Sequence, residues 1–233
     1  MMRLLHWVLA KDEYLAFVKA EWPVEWGEKP NKDGYAGDAL FSALWSDVGP
    51  DFYARCGMGL TSRGGWEVLD AKMCVWDVDS VDCSSVLEEE WEWLDEKRVN
   101  DVWKDDADMM KHELCAQECT FLPDKGVGDF QIDRKREGWV KMQPVPKYWG
   151  VRHVKDGLQR YATWTIEKRE EGKWVMVITR LRGSLEGVIA GIAKKHGVTT
   201  IECWGIGDTK RTDHLTAVKW YSTSGIDLRF NEK

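Results

Sequence analysis

The first clear pattern along the chain is an apolar run followed at once by a polar cluster. ALFSALW, at positions 39–45, is apolar and of strand length, and Ser46, Asp47, Gly49 and Pro50 follow it. Ser and Asp commonly cap helices, and Pro favours the first helical turn. The pattern therefore predicts a strand that leads directly into a helix.

That helix is predicted to be short and to present one tyrosine to a cleft. Gly57 is a typical helix stop. Phe52 and Cys56 lie four residues apart, so both are predicted to face the core. Tyr53 is then turned about a third of a turn away. Its hydroxyl is expected to reach a neighbouring surface.

Other elements follow from periodicity. Residues 1–20 and 99–116 read as helices, and residues 66–76 as a strand. Residues 120–146 read as loop-rich.

The clearest succession of elements begins at residue 161. Strands are predicted at 161–168 and 173–181, joined by a hairpin turn. Ser184 is predicted to cap a helix that ends near His196, and 199–204 forms a further strand. An acidic, serine-containing stretch at positions 80–96 interrupts the apolar pattern and predicts a boundary between two parts.

Composition excludes several classes of function. The net charge of the 233-residue chain is −7, which argues against nucleic acid as a partner because neutralising phosphates needs a basic surface. An acidic surface suits a cationic substrate. Residues 1–11 lack a cleavage site, and no apolar run reaches bilayer length. Six irregularly spaced cysteines indicate reduced, mostly buried thiols, so a cytoplasmic protein without membrane contact is expected.

The stretch LWSDVGPDFYARCGM, at positions 44–58, resembles the second conserved segment of the GNAT superfamily of N-acetyltransferases. In that family a strand leads into a helix with a Tyr four residues before Gly and an apolar residue, here Tyr53, Gly57 and Met58. The resemblance implies that Tyr53 is the general acid that protonates the departing thiolate of acetyl-CoA. It also implies acetyl-CoA contacts for Ser46, Asp47, Gly49 and Phe52, with Ser46 in place of the family's usual Asn.

Later fragments are similar to the fungal lysine N-acetyltransferases of lysine catabolism, a GNAT family with an added C-terminal domain. They occur in that family's order and are PKYWG, YATWTIE, VITRLRG, IECWGI, HLTAVKWY and the terminal NEK. This resemblance implies a mixed α/β (α+β) fold, acetyl-CoA as co-substrate, and lysine or another small-molecule amine as acceptor. The strand, strand, helix, strand order from residue 161 is itself the core pattern of a GNAT-like domain.

The resemblance also implies a division of the chain and a missing part. Residues 1–80 correspond to the C-terminal half of a GNAT domain, 81–98 to an acidic linker, and 99–233 to a GNAT-like C-terminal domain. The family's phosphate-binding loop would precede Met1, so a truncated first domain is expected, with self-association through the surface that its strands would cover. The competing hypothesis is a non-catalytic remnant that serves as a binding or scaffold protein.

Two further motifs have plainer interpretations. RLRGSL, starting at Arg180, approaches the R-x-x-G-x-G/A phosphate loop, but Leu185 replaces its last small residue; a strand-to-helix turn with surface arginines is the favoured interpretation. His112, Cys115 and Cys119 share a predicted helix face. A structural zinc needs four ligands, so core cysteines and no metal are expected.

Overall fold

The structure is a computed structural model, and it describes residues 41–46, 50–55, 66–82, 91–115, 118–124, 126–155, 157–169, 172–210, 215–220 and 229–230. The predicted helix at 1–20, the helix stop at Gly57 and the site residues Asp47 and Gly49 lie outside these ranges.

Strands and helices mix along the described chain, as the sequence predicts. The strands are β1 (Phe41–Ser46), β2 (Glu67–Val68), β3 (Lys72–Asp77), β4 (Glu92–Leu94), β5 (Glu118–Cys119), β6 (Gly150–Lys155), β7 (Leu158–Lys168), β8 (Trp174–Arg182), β9 (Thr200–Trp204), β10 (Thr209–Lys210), β11 (Leu215–Trp220) and β12 (Arg229–Phe230). The helices are α1 (Pro50–Arg55), α2 (Glu96–Glu113), α3 (Val127–Trp139) and α4 (Glu186–Lys195), with a 3-10 turn at Val78–Ser80. The predicted mixed α+β fold is confirmed.

A seven-stranded sheet is the centre of the fold. Its strand order is β10-β3-β9-β8-β7-β6-β4. Every neighbouring pair is antiparallel except β8 and β9, which run parallel. Parallel neighbours need a crossover connection, and α4 supplies it. The predicted strand, strand, helix, strand order after residue 160 is therefore confirmed.

One apolar core joins this sheet to its helices. The largest fully buried side chains include Trp164, Tyr161 and Ile189. Trp139 of α3 stacks on Trp149 with 3.5 Å between ring centroids, and its indole N–H donates to the carbonyl of Ile166 in β7. These contacts fix α3 against the sheet.

Two smaller sheets pair earlier strands with the last described strands. β11 pairs antiparallel with both β1 and β2, and β12 pairs parallel with β5. β1 and β2 precede the predicted boundary at 81–98 and pair with β11, which follows it, and β3 pairs with β9 across the same boundary. Strands from both sides of the boundary therefore share sheets. The division at that boundary stays a prediction.

Three sequence expectations are wrong. The predicted strand at 66–76 is two strands in different sheets, β2 and β3. The stretch at 120–146 contains the helix α3. The N-cap of α4 is Leu185, not Ser184; Leu185 is buried, and its apolar side chain cannot accept a capping hydrogen bond.

Candidate functional site

Tyr53 is held at the junction of α1 and β2. The Trp66 N–H, just before β2, donates to the Tyr53 carbonyl at 3.1 Å. The Tyr53 ring meets the Trp66 ring edge-on, with 6.1 Å between centroids. Tyr53 is half-buried. It is thus anchored through both its backbone and its ring while part of the side chain stays accessible.

Phe52 does not face the core as the spacing predicted. Its side chain is 40% exposed, and its ring lies edge-on to Tyr53 at 5.0 Å between centroids. Because Tyr53 is the residue that packs on Trp66, the position one residue earlier is rotated by about 100° and turns outward.

Ser46 is the last residue of β1, opposite Leu215 of β11. The roles of Ser46, Asp47, Gly49 and Phe52 in binding a cofactor stay predictions.

The turn at Arg180–Leu185 is the second candidate, and its glycine has a left-handed backbone conformation. Gly183 adopts φ +81°, in the left-handed region that favours glycine. An added Cβ there would lie 2.9 Å from Cγ of Arg160. The predicted strand-to-helix turn between β8 and α4 is therefore confirmed.

The arginines of this turn are not surface groups. Arg180 and Arg182 are 17% and 25% exposed, and both pair with Asp106 of α2, which is fully buried. Arg180 Nη2 lies 2.5 Å from Asp106 Oδ2, a close ion pair without the angle of a hydrogen bond. Arg182 also donates to both carboxylate oxygens of Glu113, at 2.9 and 3.1 Å. We call Asp106, Glu113, Arg180 and Arg182 the ion cluster.

Tyr161 of β7 adjoins the ion cluster. Burial, and then the charge of Asp106, raise the pKa of its hydroxyl well above the usual range. Within the part of the chain that the structure describes, the hydroxyl has no well-directed hydrogen bond. Tyr161 is therefore a neutral phenol enclosed in the core rather than an accessible proton donor.

A small gap lies between α2, α3 and the sheet. Its cavity volume is only about 10 Å³, and its lining includes Trp103, Thr163 and Thr179. The Trp103 indole donates to the Thr163 hydroxyl at 3.1 Å, and the two threonine hydroxyls lie 2.7 Å apart. Ligand pockets usually span about 300–1,000 Å³, so this gap is too small for acetyl-CoA.

The residues considered for metal binding have different surroundings. His112 and Cys115 are exposed, whereas Cys119 is half-buried and burial raises the pKa of its thiol. The exposure of Cys115 contradicts its predicted place in a core. Among the described residues, no group of three or more His, Cys, Asp or Glu is arranged to hold a metal ion.

No helix in the described ranges has the length and apolar character to cross a membrane.

Comparison with known proteins identifies one family. Residues 76–208, more than half of the chain, match the family described as the LYC1 GNAT-like C-terminal domain. This range contains β4 to β9 and all of the ion cluster. Neither the curated proteins nor the solved structures contain a match.

Proposed function

The chain belongs to the family of the LYC1 GNAT-like C-terminal domain, and on that premise we propose that it transfers an acetyl group from acetyl-CoA to lysine or another amine. The observation that carries the proposal is the family match over 76–208, which makes the protein GNAT-like and supports an acetyltransferase-type function.

Tyr53 is our candidate for the general acid. A neutral amine attacks the thioester carbonyl carbon, the carbon–sulfur bond breaks, and the leaving thiolate takes a proton from the Tyr53 hydroxyl. The nitrogen that became positively charged on attack loses its proton to solvent, so the product is the neutral amide, and solvent returns a proton to the tyrosinate. The anchoring of Tyr53 on Trp66 supports this role because a proton donor must be held in place. In this proposal the residues that contact acetyl-CoA near Tyr53 include Ser46, Asp47, Gly49 and Phe52.

The Arg180–Gly183 turn is not our candidate for the CoA phosphates. Asp106 and Glu113 already neutralise Arg180 and Arg182, so binding a pyrophosphate there would require breaking a buried ion pair. We therefore assign the donor site to the Tyr53 side of the protein and a structural role to the turn.

Titration calorimetry of the full chain with acetyl-CoA, followed by an assay of lysine-dependent thiol release, tests the proposal. We expect saturable binding and release that depends on lysine. Norleucine has the lysine carbon chain without the side-chain amine, so activity with lysine alone would identify that amine as acceptor. Absence of saturable acetyl-CoA binding would refute the enzyme hypothesis and favour a scaffold protein.

The variant Tyr53→Phe separates binding from chemistry. It should bind acetyl-CoA like the wild type and lose about 100-fold or more in turnover, the usual contribution of a general acid. Tyr148→Phe is the matched control, because Tyr148 is also partly exposed and lies against another tryptophan, Trp93. Equal turnover of the two variants would exclude Tyr53 as the acid.

A further inference from the structure

Two free thiols face each other across neighbouring strands. Cys74 of β3 is the direct partner of Cys203 of β9 in the antiparallel ladder. Cys74 is half-buried, and Cys203 is 4% exposed. The two lie 129 positions apart in the sequence. They are therefore neighbours only through the pairing of β3 with β9.

The ladder also shows what kind of pair they form. The Gly205 N–H donates to the Lys72 carbonyl at 2.8 Å, one pair beyond Met73 and Trp204. Hydrogen-bonded and non-hydrogen-bonded pairs alternate along an antiparallel ladder. Residues 74 and 203 therefore form a hydrogen-bonded pair, for which the Cα atoms are about 5.5 Å apart. That separation lies within the range of disulfides, about 4.4–6.8 Å.

We propose that Cys74 and Cys203 are a redox modification site that closes to a reversible cross-strand disulfide on reaction with a low-molecular-weight disulfide. The thiolate of Cys74 attacks the reagent, forms a mixed disulfide and releases one thiol. The thiolate of Cys203 then attacks the Cys74 sulfur and releases the second thiol. The two cysteines are oxidised, the reagent is reduced to two thiols, and the two protons pass to the released thiols.

Burial sets the order of the two steps. Cys74 is the more accessible thiol, so the reagent meets it first. Burial, followed by the proximity of Cys74 and Glu186, raises the pKa of Cys203 to about 11. Because only the thiolate attacks, closure by Cys203 is slow at neutral pH and accelerates as the pH rises.

The ladder geometry also explains why the bond would be reversible. Cβ atoms of directly opposed residues in a hydrogen-bonded pair lie about 5.5 Å apart, whereas those of a disulfide lie about 3.8 Å apart. Closure therefore draws β3 and β9 together, and the resulting strain makes the bond easier to reduce.

The turn between β9 and β10 would follow that movement. Gly207 lies so close to β3 that an added Cβ would be 2.9 Å from the Cys74 Cβ and 2.8 Å from the Met73 carbonyl oxygen. Because this turn packs directly on Cys74, a shift of the Cys74 backbone would displace it. Oxidation would thus alter one edge of the main sheet.

The test is incubation of the reduced full chain with oxidised glutathione, alkylation of the remaining thiols, and peptide mapping by mass spectrometry. We expect one peptide pair joined through residues 74 and 203, with a loss of two hydrogen atoms, and its return to free thiols in dithiothreitol. Cys115→Ser, which removes an exposed thiol elsewhere, should keep the link, and Cys74→Ser should abolish it. Stable glutathione on Cys74, or alkylation of both residues after prolonged oxidation, would overturn the proposal.

The pH dependence of closure is a separate readout. Below the pKa of Cys203 the thiolate fraction rises about tenfold per pH unit, so closure of the mixed disulfide should accelerate by about that factor between pH 7 and 8. A closure rate that does not change with pH would overturn the assignment of Cys203 as the second attacking thiol.

Discussion

Replacing Asp106 by Asn tests the ion cluster that joins α2 to β8. The Asp106 side chain is fully buried, and it is the shared acidic partner of Arg180 and Arg182. Asn keeps the size and one acceptor oxygen but removes the charge. The two arginines would then remain in a partly buried place without that compensation, although Arg182 would still contact Glu113.

The expected loss of stability is large for a single substitution. Removing one member of a buried ion pair usually costs about 3–5 kcal/mol. The residual exposure of both arginines lets water compensate in part, so we expect the lower end, about 3 kcal/mol. Given total stabilities of about 5–15 kcal/mol, this is a substantial fraction.

Urea unfolding monitored by tryptophan fluorescence measures the effect. A loss of about 3 kcal/mol lowers the midpoint by about 1 M at the slope expected for a chain of this size. Asp108→Asn is the matched control, because Asp108 lies on the same helix in an exposed pair with Lys111. Its midpoint should stay at the wild-type value.

The outcome that would refute the reasoning is equal midpoints for the two variants. A third protein separates charge from packing, with apolar residues at positions 106, 180 and 182 together. Because it leaves no unpaired charge in the core, it should be more stable than Asp106→Asn. If it is less stable, the cluster contributes net stability rather than only avoiding an unpaired charge.

Two further predictions concern the turn and the pH dependence of stability. Gly183→Ala should cost about 1–2 kcal/mol of stability, because the position has a left-handed φ and an added Cβ meets Arg160. Gly191→Ala in α4 should instead stabilise by about 0.5–1 kcal/mol, because its added Cβ meets no atom within 4 Å. Equal urea midpoints for the two variants would contradict this. Burial acts to raise the pKa of Glu167, but the hydrogen bond and charge of Lys135, with further contributions from the charge of Arg169 and the hydroxyl of Thr165, outweigh it and hold the pKa below the ordinary 4.5. The pair of Glu167 and Lys135 therefore stabilises the fold above about pH 4.5, and this contribution decreases as the pH falls through the lowered pKa. The urea midpoint of Lys135→Met should lie below that of the wild type at about pH 6, and the difference should shrink towards about pH 3. A difference that does not change with pH would count against this prediction.

Local sequence signals predicted the elements whose sequence and packing agree. α4 begins after a glycine turn and ends at Lys195, two residues before Gly197, which has φ +66°, and its inner face is apolar. α1 follows β1 along the chain as expected, while the residues predicted to cap it at 47–49 lie outside the described ranges. These elements were predictable because the information that forms them lies within a few residues.

The helix α3 was missed because its own sequence favours a helix only weakly. It contains Gly128 and Gly138 and begins after Gly126, which has φ +86°. Its stability comes from burying Ile132 and Trp139 against the sheet. Such tertiary packing overrides intrinsic propensity, and no local pattern reports it.

The ion cluster was beyond sequence reasoning for a different reason. Asp106 and Arg182 are separated by 76 positions, so only the placement of α2 on the sheet brings them together. Asp106 lies on the apolar stripe of α2, three positions after Trp103 and four before Met110, but that spacing does not say which charge would pair with it.

The Arg180–Gly183 turn shows why the GNAT likeness and the site of activity need separate arguments. The turn keeps the backbone geometry of a strand leading into a helix, with Gly183 in the left-handed region and α4 carrying the chain to a parallel strand. Its arginines, however, already have carboxylate partners from α2, so no ligand is needed to satisfy their charge. Fold resemblance therefore explains the turn without requiring that it bind phosphate. If the protein acetylates amines, a variant at Tyr53 should impair chemistry, whereas one at Gly183 should act chiefly through stability.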